Sequence, residues 1–226
     1  ELIARHNTFQ DIKKIYPGAY VFGCSTSGNI YRSQILDDTL VATAVRFEYS
    51  RVAVAHIVRS ESSFSAGRDL ARALPHEELT HVLVLSDGLN VNGNEFMKGL
   101  LAELPAQVAV TGGLAGDGKG FEKTFVISNQ VTDSHMVAAL GLYGQRLKVA
   151  YSSQGGWDAF GPERLVTRSR GNVLYEMDGR SALELYKLYL GDLAENLPAA
   201  GMRFPLNLRS REGDTSVIRT VLGIND

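Results

Sequence analysis

Two short loops hold most of the residues in this chain whose types and spacing could do chemistry. Cys24-Ser25-Thr26-Ser27-Gly28 combines a thiol, three hydroxyls and a glycine, and Gly112-Gly113-Leu114-Ala115-Gly116-Asp117-Gly118 combines four glycines with a carboxylate. A third stretch, Ser86-Asp87-Gly88, follows an apolar run. Glycine permits positive φ and lets backbone N–H groups approach a ligand closely, so such loops suit capture of an anion or an amino-acid carboxylate. The candidate ligand-binding residues are therefore Cys24, Ser25, Thr26, Gly28, Asp87, Gly112, Gly113, Gly116, Asp117 and Gly118. For each glycine alone, a tight turn is the competing reading.

Catalytic chemistry has fewer supports. Backbone amides around Cys24 would lower its pKa and make it a nucleophile, with Asp87 or Asp117 as base; a buried, inert thiol is the alternative. Gly113 to Lys119 meets the first seven positions of a phosphate-binding P-loop, but Gly120 stands where Ser or Thr is required. Asp117 would also repel phosphate, and the residues that follow read as a strand where a helix is needed. Nucleotide hydrolysis is thereby excluded. Asp87 to Glu95 is rich in oxygen ligands, yet an EF-hand register ending at Gly93 puts Gly88 where the first carboxylate belongs. There is no G-x-S-x-G, H-E-x-x-H or C-x-x-C motif. Five histidines, His6, His56, His76, His81 and His135, are scattered. A single imidazole can ligate haem iron in an apolar pocket, whereas a surface or hydrogen-bonded histidine is the ordinary case.

The elements that must position these loops follow from periodicity. Residues 82–85 form a uniformly apolar run, the mark of a strand covered on both faces. A helix over about 94–104 and a strand over 108–111 complete a βαβ unit, whose crossover should be right-handed. The C-terminal ends of its two strands deliver Ser86-Asp87-Gly88 and the 112–118 loop side by side, at the crevice where open α/β sheets bind ligands. Residues 16–28 line up with 104–116, 88 positions on, and the match resumes between 37–42 and 133–138 and between 51–54 and 146–149. Three blocks in one order point to a duplicated half-domain with a pseudo-twofold axis rather than a solenoid.

Within the first half, Ile3, Phe9, Ile12 and Ile15 give a helical face that ends before Pro17. A strand follows at 20–23. Residues 40–47 and 51–58 read as an antiparallel pair. A helix from Ser63 or Ser65 carries Leu70, Ala71 and Leu74 to Pro75. In the second half, 121–128, 137–142 and 147–151 read as antiparallel strands. Beyond the Gly155-Gly156 break come a strand at 173–177, a helix at 181–190 ended by Gly191, and strands near 204–208 and 216–222. The fold class is α/β: internally duplicated β-α-β-β-β halves with pseudo-twofold symmetry and mixed sheets flanked by helices. The first copy starts inside its helix, so we expect its first strand to be missing and more chain to follow Asp226.

Composition narrows the partners. Of 226 residues, 23 are basic and 25 acidic, with no long block of either sign, so no electrostatic footprint for nucleic acid or anionic membrane is present. The single cysteine cannot close an internal disulfide, which fits a reducing compartment. No apolar stretch approaches the roughly 20 residues that span a bilayer, and residues 1–5 do not make a signal peptide. A cytoplasmic location is the expectation.

The motifs themselves carry a resemblance. Val21-Phe-Gly-Cys-Ser-Thr-Ser-Gly-Asn-Ile30, Leu85-Ser-Asp-Gly88, Thr111-Gly-Gly-Leu-Ala-Gly-Asp-Gly118, Gly155-Gly-Trp157, Asn172-Val-Leu-Tyr-Glu-Met-Asp-Gly179 and Ala182-Leu-Glu-Leu-Tyr186 resemble the FIST domain, named for F-box and intracellular signal transduction. The resemblance implies an N-terminal FIST half over 1–179, with its internal repeat at about 1–60 and 80–152, and the beginning of the C-terminal half over 180–226. It implies a non-enzymatic sensory module of bacterial signalling that binds small ligands such as amino acids. Some members look like haem proteins that sense nitric oxide and regulate a histidine kinase, so haem and a kinase or other output domain enter as expected cofactor and partner. No F-box segment is seen, and Asn29 stands where the family often has glutamate. A Cys24-dependent enzyme and an interaction scaffold are the alternatives, and an exposed strand edge would allow a homodimer.

Overall fold

The computed structural model describes residues 8–118, 120, 122–152, 156–210 and 216–225. The readings placed on Ile3, His6, Lys119, Phe121 and Gly155 lie outside the described residues. The chain divides into two compact units, Glu1–Tyr151 and Ser152–Asp226. The boundary expected at 179 falls within the second of them.

In the first unit, helix α1 (Thr8–Ile15) is followed by β1 (Phe22–Cys24), β2 (Asn29–Tyr31), β3 (Gln34–Leu36) and β4 (Arg51–Val58). Then come α2 (Ser63–Arg72), β5 (Leu79–Ser86), α3 (Gly93–Glu103), β6 (Ala109–Leu114), β7 (Val126–Ser128), β8 (Val131–Asp133) and β9 (Met136–Tyr143). The main sheet has the order β4-β9-β5-β6. Its β5 and β6 run parallel, with His81 opposite Ala109 and Ser86 opposite Leu114, as the expected βαβ unit requires. Strand β9 is antiparallel to both its neighbours, Arg51 of β4 facing Tyr143 and Val58 facing Met136. The fold class is mixed α/β, with mixed and antiparallel sheets flanked by helices.

Strand alternation explains how β9 serves two cores at once, because successive side chains point to opposite faces. Val137, Ala139 and Tyr143 join Val82, Val84, Leu70, Phe96 and Leu100 beneath α2 and α3. Met136 and Ala138 instead join Ala115 and Val126, with Phe22, Cys24 and Leu85 packed around them. The small sheet β1-β7-β8 thus lies on the face opposite the helices, with Phe22 paired to Ser128 and Cys24 to Val126.

Helices α2 and α3 meet through two glycines. A methyl added at Gly67 would overlap the Phe96 carbonyl, and one at Gly99 would overlap the Phe64 carbonyl. Their N-termini are capped by Ser62, whose hydroxyl accepts from the Ser65 amide, and by Asn92, which accepts from the amides of Asn94 and Glu95. The cap on α2 is thus Ser62 rather than Ser63 or Ser65.

Three strand expectations need correction. Residues 40–47 form no strand, and β4 takes β9 as its partner at all eight positions. A local apolar run states that a segment is extended, but pairing is decided by non-local contacts that a single run does not carry. Residues 147–151 likewise form no strand, and the strand expected over 121–128 is confined to Val126–Ser128.

The second unit holds β10 (Val166–Arg170), β11 (Val173–Met177) and β12 (Arg180–Ser181) in one antiparallel sheet. Helix α4 (Ala182–Leu190) follows, capped by Ser181 and ended at Gly191, whose φ of 58° places it in the left-handed region. A hairpin of β13 (Leu206–Arg209) and β14 (Ser216–Arg219) completes it.

Candidate functional site

The two glycine-rich loops come together, although β1, which carries the first, belongs to a different sheet from β6, which carries the second. The Ser25 amide donates to the Phe125 carbonyl at 2.8 Å, the Phe125 amide donates to Ser25 Oγ at 2.9 Å, and the Gly116 amide donates to the Ser25 carbonyl at 3.0 Å. The Gly118 amide donates to Ser27 Oγ at 3.1 Å. At Gly116 any side chain would strike Ser27, so the glycine is set by close approach of the loops.

Asp87, at 1 % exposure, is built into the same junction. Its carboxylate accepts from the Thr124 hydroxyl at 2.7 Å, the Leu89 amide at 3.0 Å and the Asn90 side chain at 2.7 Å. Asp117 accepts from the amides of Glu122 and Lys123 at 2.6 and 3.0 Å. Thr26 donates to Asn29 Oδ1 at 3.0 Å, and Asn29 donates onward to the Thr39 carbonyl at 2.7 Å. Gly28 and Gly112 both have a φ of 154°, and Gly113 stands in open space. These bonds tie the predicted loop residues to one another. Buried polar groups need partners, and here the partners are supplied from within the protein.

Cys24 ends β1 half-buried among apolar neighbours. Burial pushes its thiol up from the ordinary value, away from the thiolate a nucleophile needs.

A cavity of about 450 Å³ lies elsewhere in the first unit, where the turn after α1 meets β4 and the β7–β8 hairpin. Its polar lining comes from Lys13, Tyr20, His56, Ser128, Asn129 and Gln130. His56 Nδ1 and Ser128 Oγ are 3.2 Å apart, joining the main sheet to the small one. Ser128 is 1 % exposed. The Lys13 ammonium donates to the carbonyls of Pro17 and Ala19 at 3.2 and 2.5 Å, closing the turn that follows α1. Asn129 holds the far wall: its side chain accepts from the Val21 amide at 3.2 Å and its own amide donates to the Val21 carbonyl at 2.7 Å. Its φ of 54° is one that asparagine tolerates in a two-residue turn.

No motif pointed to this place. The signal available was the interruption of apolar strand patterns by polar residues, His56 within Val52-Ala-Val-Ala-His-Ile-Val58 and Ser128 after Val126-Ile127. The other described histidines are engaged differently. His76 Nε2 is 2.9 Å from the Ala71 carbonyl, and His135 sits beside Ser134 and Asp133. His81 is buried with Nε2 2.8 Å from Thr111 Oγ1, and burial pushes its pKa down. Among the described residues no group of three or more His, Cys, Asp or Glu side chains could hold a metal ion. No described helix is long and apolar enough to cross a membrane.

A family model described as the FIST N domain covers residues 3–180. No curated protein and no solved structure matches the chain.

Proposed function

We propose a function from one premise: the chain belongs to the FIST N domain family, a family of signal-transduction sensory domains. On this reading the protein is a non-catalytic sensor that binds a small polar ligand and passes the occupancy of its site to a signalling partner. A histidine kinase or another output domain would read the change. The raised Cys24 thiol and the engaged carboxylates of Asp87 and Asp117 support binding over catalysis. The lone cysteine suits a cytoplasmic setting.

The observation that carries the proposal is the cavity beside His56 and Ser128. It joins α1, the main sheet and the small sheet, so an occupant there would touch all three elements. Its volume falls in the range of small-molecule sites.

The same lining bears on haem. His56 could offer an imidazole, but a porphyrin needs an extended apolar slot, and this cavity presents an ammonium, two hydroxyls and two side-chain amides. The residues do not fit haem, and an amino-acid-type ligand is the better match. An absorption spectrum of the protein expressed with haem available, before and after nitric oxide, tests this directly. The expected spectrum has no Soret band; a band that shifts with the gas would overturn the reading.

A further inference from the structure

The sensor reading leaves the chemistry of the ligand open, and the charges around the cavity narrow it. Besides the six polar residues, the lining consists of Gly18, Ala19 and Val131. Among the described residues no acid lines the cavity, and Lys13 supplies one fixed positive charge. The nearest acid on α1, Asp11, is held by Lys14 at 2.9 Å. An ammonium has three donors. Two of those on Lys13 close the turn onto Pro17 and Ala19, which leaves one for an occupant.

We infer that this cavity takes a small molecule through a carboxylate group, held by the Lys13 ammonium with the Ser128 hydroxyl and the His56 ring completing the contact. The inference rests on the sensor reading and on the place it gives the ligand. Hydrogen bonds in which both partners are charged are about twice as strong as neutral ones, so the single ammonium dominates orientation. One cation balances one carboxylate. A phosphate dianion would keep an uncompensated charge, and no arginine among the described residues lines the cavity to receive it. The cavity is several times larger than a carboxylate, so the rest of the ligand lies toward the Tyr20 ring and Val131, which supply its apolar walls.

The test uses paired probes on the full chain: acetate, succinate, benzoate and the L-amino acids, each beside its primary amide, with inorganic phosphate as a further member. Backbone amide chemical shifts at Ala19, Ser128 and Gln130 report the cavity. At least one acid is expected to move these signals, its amide to bind at least tenfold more weakly, and Lys13→Gln to weaken the acid by a similar factor while Lys13→Arg restores it. Thermal unfolding of both variants checks that they fold. Amides binding as well as acids, or phosphate binding more tightly than any acid, would overturn the carboxylate and leave the cavity reading standing. If no probe of either kind moves these signals, both fail.

Discussion

The Arg51 guanidinium lies 4.0 Å from the centroid of the Tyr143 ring, across the β4–β9 pair. A second pair, Arg146 over Tyr49 at 4.5 Å, has the same form in a different setting. Tyr143 is fully buried, whereas Tyr49 is 71 % exposed. Cation–π attraction is worth about 0.5–1 kcal/mol at exposed sites and about 2 kcal/mol when desolvated. Arg51 also donates to the Glu77 carbonyl at 3.0 Å. Arg51→Ala should therefore cost about 2 kcal/mol in urea unfolding, and Arg146→Ala less than about 1 kcal/mol. Equal costs would mean that burial of the ring does not set the strength of the pair.

The contact between α2 and α3 makes a sharper demand. Alanine is the better helix former by roughly 0.5–1 kcal/mol, so propensity alone predicts that Gly67→Ala and Gly99→Ala stabilise the fold. The added methyl, however, meets backbone carbonyls that cannot turn aside. Overpacking of that kind costs about 1–3 kcal/mol, and the net effect should be destabilising at both positions. Gly113→Ala, where an added methyl meets nothing, is the control and should change stability by less than about 0.5 kcal/mol.

His81 supplies a pH prediction. Burial holds its folded-state pKa below the ordinary histidine value, and among the described residues its Nδ1 has no partner. The unfolded chain therefore takes up the proton first as pH falls. The contribution is complete above the unfolded pKa of about 6.5 and is lost as pH drops below it toward the lowered folded value. Stability measured from pH 7.5 to 5 should fall more steeply in the native protein than in His81→Gln, by at most about 1.4 kcal/mol per pH unit for one proton. Parallel profiles would remove His81 as the cause.

Cys24 gives a kinetic prediction. With its thiol pushed up by burial, alkylation by iodoacetamide at pH 7 should be at least tenfold slower in the folded chain than in the urea-unfolded one. Faster labelling in the folded state would restore the thiolate chemistry that its surroundings argue against.

Much of the architecture was legible because it is local. The run around Val82–Leu85 became β5, the helix expected over about 94–104 became α3, capped two residues earlier at Asn92, and the parallel pairing with β6 followed from their order. The pairing of β4 with β9 was not legible, since residues 40–47 offered an apolar run nearer in sequence. Arg32 and Asn129, with φ of 57° and 54°, each turn a two-residue hairpin, and Arg51 and Arg146, paired in the sequence repeat, each cover a tyrosine ring. The strand-end rule set Ser86–Gly88 beside the 112–118 loop, but the docking of Ser25 on Gly116 was not legible, and glycine content could not tell whether these amides would face a ligand or each other. The cavity was hidden because Lys13, His56 and Ser128 lie on three elements whose meeting depends on the whole tertiary arrangement.

The most direct test of the sensor account is amide hydrogen exchange of the full chain with and without a mixture of the L-amino acids. A ligand seated beside His56 should slow exchange at residues 18–20 and 128–131. Protection confined to residues 24–28 and 112–118, or none at all, would contradict the cavity as the place where this protein senses.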